Sequence, residues 1–138
     1  MRRMLVGLAL ALVALPAWAQ TQQQYFWCAS STFTKDQRIA GCTAIIRSGR
    51  YGGTHTLAMA YNNRAWAYHE KGEDAKGLPD AEQAVVLEPI PSRLDTRAEI
   101  YEKLGRRDQA IADYRAALKL DQKYAAAING LTRLGAKP

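Results

Sequence analysis

Few side chains in this sequence combine the residue type and spacing that chemistry requires. The two histidines, His55 and His69, are 14 residues apart, which is not a metal-ligand spacing, and no serine or cysteine nucleophile is evidently paired with either. His69 precedes Glu70, and this pair is the one enzymatic hypothesis that the residues suggest; it would require a deep pocket. The neighbouring anions Glu73 and Asp74 read as solvated charge at a helix end. We therefore predict a non-catalytic protein with no metal and no cofactor.

The two cysteines, Cys28 and Cys42, are candidates for a structural disulfide. Closing a loop of about 15 residues would stabilise the fold by roughly 3 kcal/mol in the chain-entropy model. A redox or metal pair is the alternative, but such pairs usually have C-x-x-C spacing or additional histidine ligands. A disulfide needs an oxidising compartment, which the N-terminus predicts.

Residues 1–19 have the organisation of a secretory signal peptide. Arg2 and Arg3 form the positive region, Leu5–Leu15 the apolar region, and residues 16–19 a small-residue cleavage site. The apolar run of about eleven residues is too short to span a bilayer of ~30 Å, and no other segment is apolar enough. We expect cleavage after Ala19, no transmembrane segment in the remaining chain 20–138, and a periplasmic or secreted protein. A leader retained as an anchor is the alternative.

The net charge of +6 falls to about +4 without Arg2 and Arg3. The remaining excess of positive charge is concentrated in one part of the chain. Residues 20–69 carry five cations and one anion, whereas residues 70–138 are balanced. Such an excess is either a solvated surface or a patch for an acidic partner or anionic membrane. Nucleic acid is not an expected partner, because export would separate the chain from it and no basic-aromatic platform is present.

The sequence repeats itself at an offset of 33 residues. In the comparison of 61–89 with 94–122, where chance gives roughly two identities, seven positions are identical, and a period of this length is typical of stacked helical hairpins. The identical pairs are Arg64 and Arg97, Ala65 and Ala98, Tyr68 and Tyr101, Gly72 and Gly105, Asp80 and Asp113, Ala84 and Ala117, and Leu87 and Leu120.

Apolar residues at helical spacing predict an all-α chain. Residues 20–24 are expected to be frayed, and Thr34 with Gln37 predicts a capping box before the first helix. Pro79 predicts a second helix of the first repeat that begins only near Leu78, because proline inside a helix costs about 3 kcal/mol. The third main helix, with Ser92 or Asp95 as its cap, should end at Gly105. The other predicted helices are 36–46, about 56–71, about 108–120 and about 122–134.

Ala98, Tyr101, Gly105, Ala110 and Tyr114, followed by Ala117 and Leu118, resemble the tetratricopeptide repeat pattern. The resemblance covers 91–121 well and 58–90 less well, since Gly77, Pro79 and Ala81 depart from the pattern. It implies a short right-handed superhelix of antiparallel hairpins, a TPR-like α-solenoid, with Ala65, Ala98 and Ala110 at close helix contacts. Residues 20–54 would hold a degenerate hairpin and 122–134 a capping helix. The whole chain also resembles small exported bacterial proteins of this family.

The resemblance further implies that the first helix of each hairpin lines a concave groove that binds peptides or partner helices. The carboxylates at 95, 99 and 102 share one helix face and predict a shallow acidic groove for a basic or amphipathic segment. The alternative is that they are ordinary surface charge and that Trp66 packs locally. Capture of an acidic peptide terminus is disfavoured, because Asp95 and Glu99 stand where that variant of the family has cations. The predicted groove residues are Asn62, Trp66, His69, Glu70, Asp95, Glu99, Glu102, Asn129 and Arg133.

The sequence therefore predicts an exported protein–protein interaction module. The first rival is a self-associating structural subunit of a cell-envelope complex, since two and a half repeats are close to the minimum for independent stability. The second rival is a periplasmic enzyme that uses His69 with Glu70.

Overall fold

A computed structural model describes residues 17–49 and 52–138. The predicted positive and apolar regions of the leader, residues 2–15, lie outside these ranges. Within them the chain forms seven helices and no strand, so the all-α prediction is confirmed. The helices are α1 (Ala17–Ala29), α2 (Lys35–Ser48), α3 (Gly53–Glu70), α4 (Asp74–Leu87), α5 (Pro91–Lys103), α6 (Arg107–Leu120) and α7 (Ala125–Arg133).

The helices stack as three consecutive hairpins and a final single helix. α1 packs on α2, α3 on α4 and α5 on α6, and each hairpin packs on the next through α2 with α3, α4 with α5 and α6 with α7. The odd-numbered helices also contact one another in sequence, α1 with α3, α3 with α5 and α5 with α7. They therefore form one side of the stack, which is the arrangement that a TPR-like fold requires.

Small side chains occupy the points where helices come closest. Ala65, Ala98 and Ala110 are each 0% exposed and belong to one core cluster with Tyr101 and Tyr114. The predicted tight contacts at these three alanines are confirmed. A larger side chain there would push two backbones apart, because core packing leaves no space for additional carbon atoms.

The second helix of the first repeat is longer than predicted. α4 has 14 residues, as α6 has, and begins at Asp74 and continues through Pro79, so the predicted start near Leu78 is wrong. Pro79 lies on the exposed side, as does Ala75, whose carbonyl loses the hydrogen bond and faces water instead. Gly77 allows a close approach, since a Cβ there would lie 2.9 Å from the Ala65 carbonyl oxygen.

The first helix of the N-terminal hairpin was implied only by the degenerate hairpin expected in residues 20–54, and its bounds were not predicted. α1 begins at Ala17 and includes the glutamine-rich segment expected to be frayed. It packs closely on α2, because a Cβ at Gly41 would lie 2.5 Å from the Gln24 carbonyl oxygen. The predicted Thr34–Gln37 capping box is present at the start of α2. Cleavage after Ala19 would remove the first three residues of α1.

Cys28 and Cys42 form a disulfide that joins α1 to α2. Both are buried, and together with Ile45 and Ala60 they form a second, smaller core cluster. The predicted disulfide pairing is thus confirmed, and it cross-links the two helices of the N-terminal hairpin.

The remaining helix ends differ modestly from those expected. α3 begins three residues before the predicted Thr56, and α7 begins at Ala125 instead of near Gln122. α5 begins with Pro91 after Ile90, so neither Ser92 nor Asp95 is its cap. Proline is well suited to a first helical position, where its missing N–H would have no partner. None of the helices in 17–49 and 52–138 is long and apolar enough to cross a bilayer.

The repeated arginine and aspartate form the same ion pair in both repeats. Arg64 Nε donates to Asp80 Oδ2 at 2.6 Å, and Arg97 Nε donates to Asp113 Oδ2 at 2.7 Å. In each pair a second guanidinium nitrogen donates to the other carboxylate oxygen at 2.7 Å. This bidentate geometry fixes the orientation of the two helices of a hairpin, which explains why these four residues match at the repeat offset.

Candidate functional site

The predicted groove residues are distributed over α3, α5 and α7, the helices that form one side of the stack. Four of them, His69, Glu99, Glu102 and Arg133, line a single cavity of about 500 Å³ together with Lys103. We call the surface formed by this cavity and the adjoining faces of the three helices the groove. The structure therefore brings residues together that are up to 64 positions apart in the sequence.

His69 connects three helices at one edge of the groove. Its ring stacks on Trp66 with 4.9 Å between ring centres, and Nδ1 lies 2.5 Å from Asp74 Oδ1 on α4. Nε2 lies 3.5 Å from Glu99 Oε2 on α5. The hydrogen bonds with Glu99 and Asp74 raise the pKa of His69, although burial opposes this shift. Protonated His69 on α3 can therefore link the first repeat to Glu99 on α5 of the second repeat.

The same contacts separate the two residues that the enzymatic hypothesis combines. The ring nitrogens of His69 face Asp74 and Glu99, whereas the Glu70 carboxylate pairs with Arg38. Glu70 is not its partner. Nor do the described residues contain a group of three or more histidine, cysteine, aspartate or glutamate side chains placed to hold a metal ion.

Glu102 is neutralised within the groove. Arg133 Nη2 donates to Glu102 Oε1 at 2.7 Å, Arg133 Nε donates to Oε2 at 3.1 Å, and the Tyr114 hydroxyl donates to Oε1. Burial alone would raise the pKa of Glu102, but the bonds from Arg133 and Tyr114 hold it below the ordinary value. The three predicted carboxylates are therefore not equivalent, because this one is already occupied by the chain's own cation.

Asp95 and Asn62 each hold a buried oxygen without a hydrogen-bond partner. Asp95 Oδ2 accepts a long bond of 3.4 Å from the Tyr124 hydroxyl, whereas its Oδ1 and the Oδ1 of Asn62 have no donor. Burial, reinforced by the nearby Glu99, raises the pKa of Asp95 to about 6. The two residues are 33 positions apart and thus occupy equivalent sites in the two repeats. Unpartnered buried acceptors are uncommon and call for an explanation.

Glu70 lies outside this group, which corrects its predicted place. Its carboxylate pairs with Arg38 of α2, and its backbone oxygen accepts a 2.7 Å bond from Lys35 Nζ. One residue beyond His69 corresponds to a rotation of about 100° around the helix, which turns Glu70 toward the preceding hairpin. Asn129 is exposed on α7.

Four residues that contribute to the site were not among those predicted. Lys103 lines the cavity at the position equivalent to Glu70, and the 33-residue offset was the sequence signal that could have indicated it. Tyr114 and Tyr124 position Glu102 and Asp95 through their hydroxyl groups. Asp74, expected to be solvated, is only 11% exposed and pairs with His69.

The chain is similar to proteins of several eukaryotes. It is 32% identical over 78 residues to the mitochondrial import receptor subunit TOM34 of Rattus norvegicus, covering 56% of this chain and 25% of that protein. It is 32% identical over 99 residues to sperm-associated antigen 1A of Danio rerio, covering 71% and 22%. With protein unc-45 homolog B of Danio rerio it shares 28% over 103 residues, covering 74% and 11%. The chain thus spans a quarter or less of these relatives.

A solved structure and a family model agree with the architecture. The Arabidopsis OM64 TPR domain superimposes with a TM-score of 0.70 at 23% identity, covering 86% of this chain and 93% of that domain. The model of the tetratricopeptide repeat matches residues 91–124, which contain α5 and α6. Residues 91–124 therefore match a tetratricopeptide repeat, and the described chain has a TPR-like all-α fold.

Proposed function

We propose that this chain is an interaction module whose groove binds a basic or amphipathic segment of a partner protein. The observation that carries this proposal is the pair of buried, unpartnered oxygens, Asn62 Oδ1 and Asp95 Oδ1, at equivalent positions of two repeats. A buried acceptor without a donor costs about 1–3 kcal/mol. Hydrogen-bond donors of a bound segment would recover that cost at both positions.

The charges of the groove favour donors over acceptors in the partner. Glu102 is bound by Arg133, which leaves Asp95 and Glu99 as the carboxylates available to a ligand. Glu99 retains 31% side-chain exposure although it faces His69. Lys103 and Arg133 line the same cavity, so a segment with basic and apolar faces fits better than a uniformly basic one. An acidic peptide terminus would meet Asp95 and Glu99.

We also propose that the protein is exported to the periplasm of a Gram-negative bacterium. Support comes from the signal-peptide organisation of residues 1–19 and from the disulfide Cys28–Cys42, since disulfides persist in oxidising compartments.

Expression of the full coding sequence in a Gram-negative host tests export. The protein is expected in the osmotic-shock fraction with Gln20 as its first residue, because the small-residue site precedes that position. N-terminal sequencing and fractionation measure both. A cytoplasmic protein that still begins at Met1 would contradict export while leaving the groove proposal intact.

A labelled amphipathic peptide with the sequence LKKLLKLLKKLLKL provides a probe for the groove. We expect the protein to bind it more tightly than the matched peptide LEELLELLEELLEL, because Asp95 and Glu99 accept from lysine and repel glutamate. Substitution Asp95→Asn together with Glu99→Gln should weaken binding of the basic peptide by about five- to tenfold, measured by fluorescence anisotropy.

Asp108→Asn is the matched control for that experiment. Asp108 is a fully exposed carboxylate on α6, outside the groove, and its substitution changes the net charge by one unit, half the change in the double variant, without touching the site. Its affinity should equal that of the unsubstituted protein after correction for general charge effects. Equal binding by the Asp95 and Glu99 double variant would remove the groove as the binding surface.

Binding of the basic peptide should strengthen as pH rises from 5 to 8. Asp95, with a pKa of about 6, gains negative charge over this range. His69, whose pKa is raised by its hydrogen bonds with Glu99 and Asp74, loses positive charge as pH rises and then releases Glu99 from their contact. Both changes make the groove more negative, whereas the peptide lysines stay protonated. A gain of roughly three- to tenfold is expected.

The double variant Asp95→Asn, His69→Gln identifies the groups responsible for that pH dependence. Its affinity should be nearly constant between pH 5 and 8, because neither position then titrates. A pH profile that persists unchanged in this variant would show that other groups control binding.

A further inference from the structure

The outer face of α1 exposes three aromatic side chains. Trp18 is 68%, Tyr25 43% and Phe26 59% exposed, and spacings of seven and eight residues place all three on one side of the helix. They border a surface cavity of about 580 Å³ whose floor includes Ile45 of α2. Elsewhere in the described chain the large exposed apolar side chains, Val86 and Leu120, lie singly on α4 and α6. We call the α1 surface the aromatic face.

The aromatic face has no charge of its own. The helix sequence, AWAQTQQQYFWCA, contains no acidic, basic or histidine residue. A strongly charged partner or an anionic bilayer would find no counter-charge on this helix. A second copy of the same helix meets no like charge, and glutamine amides such as that of Gln22 both donate and accept hydrogen bonds.

We propose that the aromatic face binds the same face of a second copy of this chain, forming a twofold dimer. In such an interface each patch meets its own counterpart, so an uncharged, amide-containing surface is self-complementary. The first hairpin has no preceding hairpin within the described residues to cover α1, whereas α3 is covered by α2 and α5 by α4. The second copy supplies that missing cover.

The two ends of the stack differ, which favours a closed dimer over a chain of stacked copies. α7 buries Ala127, Gly130 and Leu131 against the stack and presents polar residues such as Thr132 and Arg133 to solvent. Head-to-tail stacking would place this polar surface against the aromatic face. Pairing of two aromatic faces leaves both polar ends and both grooves free.

The available area predicts a weak dimer. If each aromatic residue has about 200 Å² of surface, complete burial removes on the order of 350 Å² per copy. Over two copies these side chains bury about 700 Å², less than the roughly 1,200 Å² at which stable specific interfaces begin, and the intervening glutamines add to that area. We expect dissociation constants of tens to hundreds of micromolar. Cleavage after Ala19 would remove Trp18, in which case Tyr25 and Phe26 carry a still weaker interface.

Sedimentation of the purified exported protein that begins at Gln20, from about 5 to about 500 μM, tests the dimer. The average mass should rise toward that of two copies as concentration increases. Phe26→Glu places two like charges near the twofold axis and should weaken association at least about tenfold. Val86→Glu adds the same charge at a residue that is 74% exposed on α4, and it should associate like the unsubstituted protein.

Further measurements distinguish dimerisation through the aromatic face from misfolding of the variant and from binding to a membrane. Phe26→Glu should retain the circular dichroism spectrum and the affinity for the LKKLLKLLKKLLKL peptide, because neither the fold nor the groove involves Phe26. A protein that stays monomeric at the highest concentration would overturn the proposal, as would association that Phe26→Glu leaves unchanged. Flotation of a monomeric protein with neutral phosphatidylcholine vesicles, lost in Phe26→Glu, would assign the aromatic face to a bilayer and also overturn it.

Discussion

The close approach of neighbouring helices is the constraint on which the rest of this structure depends. Ala65, Ala98 and Ala110 have no exposed surface, and Gly41 and Gly77 stand where a Cβ would meet the backbone of the facing helix. At these points dispersion contacts are gained only because the side chains are short. The bidentate arginine–aspartate pairs then fix how the two helices of a repeat are oriented. Spacing and orientation together place the odd-numbered helices side by side, and only this arrangement creates the groove.

The candidate function depends on residues that differ between equivalent positions of the two repeats. Asn62 and Asp95 occupy the same place in two repeats, yet one is neutral and the other titrates near neutral pH. Glu70 and Lys103 are likewise equivalent, but the first bonds to the N-terminal hairpin and the second lines the groove. The repeat thus supplies the scaffold, while substitution at individual positions determines which donors and charges a partner encounters.

Periodicity predicted the helices that have an apolar face and a repeat partner. α3, α5 and α6 were placed within a few residues, because regular apolar spacing determines burial directly. Periodicity missed α1 because its inward side consists of buried Cys28 and the half-buried Thr21, Gln24 and Trp27, which do not form a regular apolar pattern. α4 was predicted too short because the cost of Pro79 depends on whether the carbonyl that loses its bond faces water, and the sequence does not show this.

The site was predicted less completely than the fold for a similar reason. A helical wheel places His69, Glu99 and Glu102 on the groove side, but it does not show that Asp74 approaches from α4 or that Arg133 reaches Glu102 from α7. These pairs join separate helices, so they depend on the relative rotation of the hairpins. Their formation converts an expected acidic surface into one with two available carboxylates.

A comparison of two alanines on α6 tests the central claim most directly. Ala110 is buried at a helix contact, and Ala112, two residues away, is exposed. Substituting leucine at each position therefore compares a tightly packed site with a surface site on the same helix. Urea unfolding followed by circular dichroism should show a loss of about 1–3 kcal/mol for Ala110→Leu and a change within about 0.5 kcal/mol for Ala112→Leu. Equal free energies of unfolding for the two variants would contradict the account, because the helices would then not be held at a spacing that only short side chains permit.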